Sequence, residues 1–232
     1  ANLDAKSWIA EVQRTDRLGN LQLISGAGYV TKDENFPVEE GAIDTDDVNA
    51  YVYGQWRSPA GALRVVGGLV YDRFKADYKF FTNSTERSQL SPKIGIVYSS
   101  TRGTTIRAAS FVSVQRPFIG GQTIEPTQVA GFNQYFTGLE QFYGDREGTV
   151  SRRIAAALEQ KFSGGLFAGV EAATRRLEAP SIVLARDFQW REKSGRGYVY
   201  KTFGESASGW QGTLSVAAEY EELNRPTVLT GS

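Results

Sequence analysis

The 232-residue chain is expected to be all-β: an antiparallel up-and-down transmembrane β-barrel, with about ten strands here forming part of a larger barrel. Three observations predict this. Apolar and polar side chains alternate with a period of two over most of the chain, the repeat of a strand with a different environment on each face. Tight polar turns alternate with long polar loops, the asymmetry of an outer-membrane barrel. Aromatic residues on the apolar phase gather at strand ends, in two groups separated by small aliphatic side chains.

The clearest hairpin is 90–115. Ile94, Ile96 and Tyr98 share one face, while Lys93, Gly95 and Val97 share the other. Beyond a turn at 99–103, Ile106, Ala108, Val112 and Val114 oppose Thr105, Arg107, Ser113 and Gln115. Four further hairpins fit the same pattern. The first pairs 6–14 with 20–30 across a turn at 17–20. The next pairs 48–57 with 62–74 across Ser58-Pro59-Ala60-Gly61, a strong turn composition. After the long connection, 149–162 pairs with 166–175 across 163–165, and 195–203 with 210–220 across 204–209. Polar loops are expected at 31–47, 75–89 and 116–148, and through Pro180. With no low-complexity stretch and no break in composition, 1–232 reads as a single β-barrel domain, a fragment of a longer chain.

Composition narrows the chemistry. Lys plus Arg is 26 and Asp plus Glu is 26, so no net charge favours nucleic acid. Cys and His are absent, which excludes a disulfide, a thiolate nucleophile, an imidazole base and a His/Cys zinc site. No P-loop, dinucleotide fingerprint or nucleophile elbow occurs. The chain is therefore expected to be no enzyme and to carry no cofactor; a barrel hydrolase would lack its usual base. No apolar run reaches the roughly 18 residues of a spanning helix. That leaves a barrel open, because each strand shows lipid only every second residue.

The candidate membrane-interface aromatics are Trp56, Tyr98, Phe162 and Trp210 on the tight-turn side, with Trp8, Tyr29, Tyr71 and Tyr220 on the long-loop side. They suit an apolar band roughly 25 Å tall with a girdle at each edge. A soluble β-sandwich or lipocalin-like barrel also alternates, but its inner apolar phase would carry larger side chains mid-strand. The opposite phase here holds Arg64, Asp72, Lys93, Arg107, Arg153, Glu159 and Glu171, with Lys201 and Glu219, and these need water. The first seven are lumen-facing candidates. They suit two arrangements, the lining of a permeation path and a ladder of salt bridges between adjacent strands.

Two loops hold further candidates. In 31–47, Asp44, Asp46 and Asp47 form a weak candidate for Ca²⁺ in a spacing unlike an EF-hand, and a solvated acidic loop is the plainer expectation. In 116–148, Phe118, Phe132, Asn133, Gln134, Tyr135 and Phe136 mix aromatics with amides. That composition fits contact with a sugar-like ligand, and equally a constriction folded into the barrel mouth.

The stretch LSPKIGIVYSSTRGTTIRAASFVSVQRPF at 90–118 resembles the barrel of TonB-dependent outer-membrane receptors, in its SPK-G-hydrophobic-Tyr strand, short turn, Thr-hydrophobic-Arg-Ala strand and Arg-Pro end. QTIEPTQVAGFNQYF at 122–136 is similar to barrels carried behind tetratricopeptide repeats in large bacterial proteins. LEQKFSGGLFAGVEAATRRLEAP and RGYVYKTF fit the same pattern, so the resemblance covers roughly residues 46–220. It implies a bacterial outer-membrane location and uptake of a bulky ligand energised by an inner-membrane complex; the partners expected are outer-membrane lipid and periplasmic partner domains or other subunits. No plug domain or energy-coupling box is recognised before the first strand, and no terminal aromatic strand closes the sequence. A slice of a longer barrel is therefore expected. The function expected is transport or passage of a solute or polymer across the outer membrane, porin- or receptor-like. The alternative is a non-conducting barrel that anchors a periplasmic or cell-surface assembly.

Overall fold

A computed structural model describes residues 4–35, 42–79, 83–117, 123–135, 147–181, 187–204 and 212–225. Ten strands pair in chain order as one antiparallel meander. They are β1 (Asp4–Leu18), β2 (Leu21–Asn35), β3 (Ala42–Arg57), β4 (Leu63–Tyr78), β5 (Asn83–Ser99), β6 (Thr104–Val114), β9 (Val150–Lys161), β10 (Leu166–Ala179), β11 (Phe188–Phe203) and β12 (Gly212–Asn224). Between β6 and β9, the short strands β7 (Gln128–Val129) and β8 (Phe132–Asn133) form a hairpin of their own. Among the described residues, β1 and β12 are the two edges of the sheet and do not pair with each other.

Alternation sorts the side chains as expected. Val48, Val52, Leu69, Ile94, Ile96, Ile154, Leu158, Val170, Val199 and Val216 all stand exposed on the outward face. So do seven of the interface candidates, Trp8, Tyr29, Trp56, Tyr71, Tyr98, Phe162 and Tyr220; Trp210 lies outside the described residues. The outward face of β1 breaks the pattern near its tight turn, where Arg14 and Asp16 form an ion pair of 2.8 Å. A charge placed mid-band should be costly. Ile94→Arg is expected to destabilise the barrel by about 2–4 kcal/mol, read as loss of the heat-modifiable folded band after refolding into lipid.

The expected loops 31–47 and 75–89 are mostly strand. β2 runs on to Asn35 and β3 begins at Ala42, paired Asn35↔Ala42 and Asp33↔Asp44. β4 runs to Tyr78 and β5 begins at Asn83, again paired to their ends. The physical reason is reach. A strand of 16 residues is about 53 Å long at ~3.3 Å per residue, and at a ~45° tilt it stands ~37 Å high against an apolar band of ~25 Å. Both ladders simply continue past the membrane, where the outward side chains become polar and the apolar signal used to find strands disappears. The connections 36–41 and 79–82 are thus short, and the asymmetry between the two ends lies in strand overhang. The long connection that remains is 115–149.

The β5–β6 ladder stops short of that connection, while β6 stays paired with β9 to Val114↔Val150. The ladder runs to Lys93↔Phe111 and ends at Pro92, which has no N–H to offer. Two backbone bonds, Gln115 N to Thr149 O and Gly148 N to Gln115 O at 2.8 Å each, close the base of the connection. Beyond them the chain turns inward over the inner face. An apolar patch forms there, with Val97, Ala109, Phe111, Ala155 and Ala157 of the wall under Val129, Ala130 and Phe132. A second patch joins Ile24, Tyr51, Tyr53 and Val70. The inner phase, which carries the charged candidates, is apolar where this segment covers it.

Candidate functional site

The inward segment seats through one tight hairpin and one buried polar network. The β7–β8 turn places Ala130 and Gly131 at positive φ (51° and 85°), as a two-residue primed turn requires. Gly95 of β5 makes room beneath it: a Cβ there would meet the Ala130 Cβ at 2.7 Å and Val129 Cγ1 at 2.9 Å. Phe132 is 1% exposed, with the Arg107 guanidinium 4.8 Å from its ring centre. Thr123 Oγ1 and Ile124 N both donate to the Glu11 carboxylate, at 2.8 and 2.7 Å, which ties the segment's first described part to β1.

Glu125 is the centre of the network. It is 2% exposed and accepts hydrogen bonds from Asn49 Nδ2 (3.2 Å), the Tyr53 hydroxyl (2.5 Å) and Arg116 Nη2. Arg116 also donates to the Tyr135 hydroxyl at 2.8 Å, and its Nε lies 3.7 Å from Asp72 Oδ1. Burial opposes the charge on Arg116, but the Glu125, Asp72 and Asp47 carboxylates outweigh it and hold the guanidinium protonated well above its ordinary range. Burial pushes the Tyr135 phenol well above its usual value, so it stays a neutral acceptor for Arg116. Gln134 Nε2 donates to Pro126 O (2.6 Å) and to the Tyr53 hydroxyl (3.3 Å), and Ser113 Oγ donates to Gln134 O (3.0 Å). Tyr53→Phe keeps the ring and removes one donor to a buried carboxylate. It is expected to cost about 1–3 kcal/mol, measured as faster hydrogen exchange over residues 123–135.

The loop candidates Phe132, Gln134 and Tyr135 are buried against the wall, and Asn133 receives Arg153 Nη1 on its carbonyl at 3.4 Å. Phe118 and Phe136 lie outside the described residues. Six of the seven lumen candidates face inward with partners. Arg107 meets Glu159 (2.9 Å) and Glu171 (3.6 Å), Arg153 meets Glu171 (3.8 Å), Asp72 meets Arg116, and Lys93 Nζ donates to Val112 O (2.7 Å). These contacts form a cross-strand ladder capped by the inward segment. Arg64 stands apart at the tight-turn rim. Lys201, expected on the water phase, lies on the outward phase opposite Leu214 and reaches back to Gly164 O.

The calcium candidates do not share a centre. Successive residues of a strand point to opposite faces, so Asp44 and Asp46 project outward and Asp47 inward. Asp44 pairs with Lys79 at 2.7 Å and Asp46 accepts from the Tyr29 hydroxyl at 2.9 Å. Among the described residues, no group of three or more carboxylates is arranged to hold a metal ion.

Sequence reasoning missed Glu125, Arg116, Tyr53 and Asn49 as one unit. The available signals were a single acidic residue within 118–136 and the Arg-Pro step that ends β6.

Comparisons place this geometry. The chain superposes on the FrpB iron transporter from Neisseria meningitidis with a TM-score of 0.66 at 12% identity, covering 95% of this chain and 36% of that one. It superposes on the copper transporter OprC with a TM-score of 0.65 at 12% identity, covering 95% and 38%. For the ferric citrate transporter FecA in its unliganded form the TM-score is 0.52 at 11% identity, covering 97% and 37%. These likenesses establish the fold, and the chain spans little more than a third of each structure. No curated protein sequence matches the chain. The family of TonB dependent receptor-like β-barrels matches residues 1–145, more than half of the sequence. The chain therefore belongs to the TonB dependent receptor-like β-barrel family, a β-barrel of the bacterial outer membrane.

Proposed function

We propose that this chain forms part of the wall of an outer-membrane transporter whose lumen is narrowed by residues 123–135, with passage coupled to a periplasmic partner. One observation carries the reading: a connection of this length turns inward and is held by a buried network centred on Arg116 and Glu125. Tying Asn49, Tyr53 and Arg116 around the buried Glu125 carboxylate is costly unless the segment's position matters. The wall arginines Arg107 and Arg153 are matched by glutamates, so selectivity rests on the shape and polarity of the inward segment. The iron, copper and ferric citrate transporters of like fold support passage as the general role.

The same covered lumen favours a second reading, a silent barrel that anchors periplasmic domains, in keeping with the resemblance of 122–136 to barrels behind tetratricopeptide repeats. The test is conductance of the full-length protein in planar bilayers, beside a variant with 119–146 replaced by a short Gly-Ser linker. Passage predicts small or closed steps for the parent and steps at least several-fold larger for the variant. If both stay silent while folded, the anchor reading replaces it.

A further inference from the structure

Three arginines gather on the inner phase at the tight-turn rim. Arg57 of β3 stands directly opposite Arg64 of β4. Two strands away Arg17 pairs with Gln22, which pairs in turn with Gln55. Together with Trp56 these residues line a concavity of about 410 Å³ that contains no acidic side chain. Elsewhere on the inner wall arginine is matched to carboxylate, as in Arg107–Glu159, Arg175–Glu192 (3.1 Å) and Arg196–Glu219 (3.1 Å). Among the described residues, the side chains of Arg17, Arg57 and Arg64 have no hydrogen bond and no ion pair.

Like charges directly opposite on neighbouring strands repel. Such a pair is sustained more readily when an anion sits between its members. Guanidinium forks present paired N–H donors that match the oxygens of a phosphate, and their charge does not titrate away. The amides of Gln22 and Gln55 add neutral donors, and Trp56, whose ring stands on the outward face of the same strand, is the tryptophan next to the site. Rigid strands supply all of these groups, so little order has to be imposed on binding. We propose that Arg17, Arg57 and Arg64 form a binding site for a phosphate group at the tight-turn rim of the barrel. A free phosphate or phosphorylated solute and the headgroup of an inner-leaflet phospholipid share this chemistry.

The test uses the full-length protein in an uncharged detergent. Inorganic phosphate is titrated at constant ionic strength, balanced with chloride, while tryptophan fluorescence is recorded. A saturable change is expected that disappears in Trp56→Phe, with half-saturation raised at least tenfold in Arg57→Gln/Arg64→Gln. A second arm embeds the protein in nanodiscs of phosphatidylglycerol or of phosphatidylcholine and counts retained lipid by native mass spectrometry after re-extraction. Phosphatidylglycerol retained by the parent and lost by the double variant assigns the site to a lipid headgroup. Response to inorganic phosphate without lipid retention assigns it to a soluble ligand. Heat-modifiable mobility checks the fold of the double variant. If that variant does not fold, Arg64→Lys, which keeps the charge and loses the fork, is expected to weaken binding several-fold. Binding of neither probe, or equal binding by parent and variants, overturns the proposal.

Discussion

Replacing Arg116 with Leu is expected to release residues 123–135 from the inner wall while the strands stay paired. The substitution removes the partner of Glu125 and the nearest cation to Asp72, both almost fully buried. Removing one member of a buried charge pair costs about 3–5 kcal/mol, because the other charge is left uncompensated. The segment escapes that cost by undocking, which returns Glu125 to water. The β6–β9 ladder, paired from Thr104↔Gln160 to Val114↔Val150, does not depend on Arg116. The expected readout is loss of hydrogen-exchange protection over 123–135 with unchanged protection in β6 and β9, and larger conductance steps in bilayers. Arg116→Leu/Glu125→Leu should recover part of the protection, since replacing both charges by apolar groups removes the desolvation penalty. Unchanged protection in the single variant would show that the network does not hold the segment.

Gly95→Leu reaches the same end by sterics alone. Even a bare Cβ at this position lies 2.7 Å from the Ala130 Cβ, closer than side-chain carbons approach in folded proteins. Overpacking of a formed core costs about 1–3 kcal/mol. The alternative is to lift β7–β8 away and expose Val129 and Phe132, whose burial is worth about 1.5–3 kcal/mol each. The smaller of these costs decides how far the hairpin moves. A strand gains from losing an interior glycine, so the heat-modifiable fold of the barrel should be undiminished while protection of 128–133 falls. Gly95→Ala should show the same pattern to a lesser degree. Intact protection of the hairpin in Gly95→Leu would mean that the hairpin is not seated on β5.

Both variants act on a part of the molecule that was only half visible in the amino-acid order. Alternation of Ile94, Ile96 and Tyr98 against Lys93, Gly95 and Val97 already assigned the two faces of β5, and Ser58-Pro59-Ala60-Gly61 already marked a hairpin turn. Such features are local: a period of two and the φ demands of a turn are properties of a few adjacent residues. The outward positions of Trp8, Tyr29, Trp56 and Tyr220 follow from the same rule.

The overhanging halves of β2–β5 were not legible. Asp33, Asp44 and Asp77 look like loop residues, and what makes them strand is the ladder each continues, a pairing between segments. Nor did the composition of 116–148 distinguish ligand contact from constriction. That depends on whether Glu125 finds Asn49 and Tyr53, which lie 76 and 72 residues away in sequence. The calcium candidate failed for a related reason, because adjacency along the chain becomes opposition across a strand. Sequence alone determined the central part of each of the ten long strands, which side chains share a face and where the described tight turns fall, because each depends on short-range periodicity. Tertiary structure alone decided the register, the inward placement of 123–135 and the pairing of buried charges. Those depend on desolvated contacts between distant strands, and a buried charge is tolerated only where the fold brings its partner.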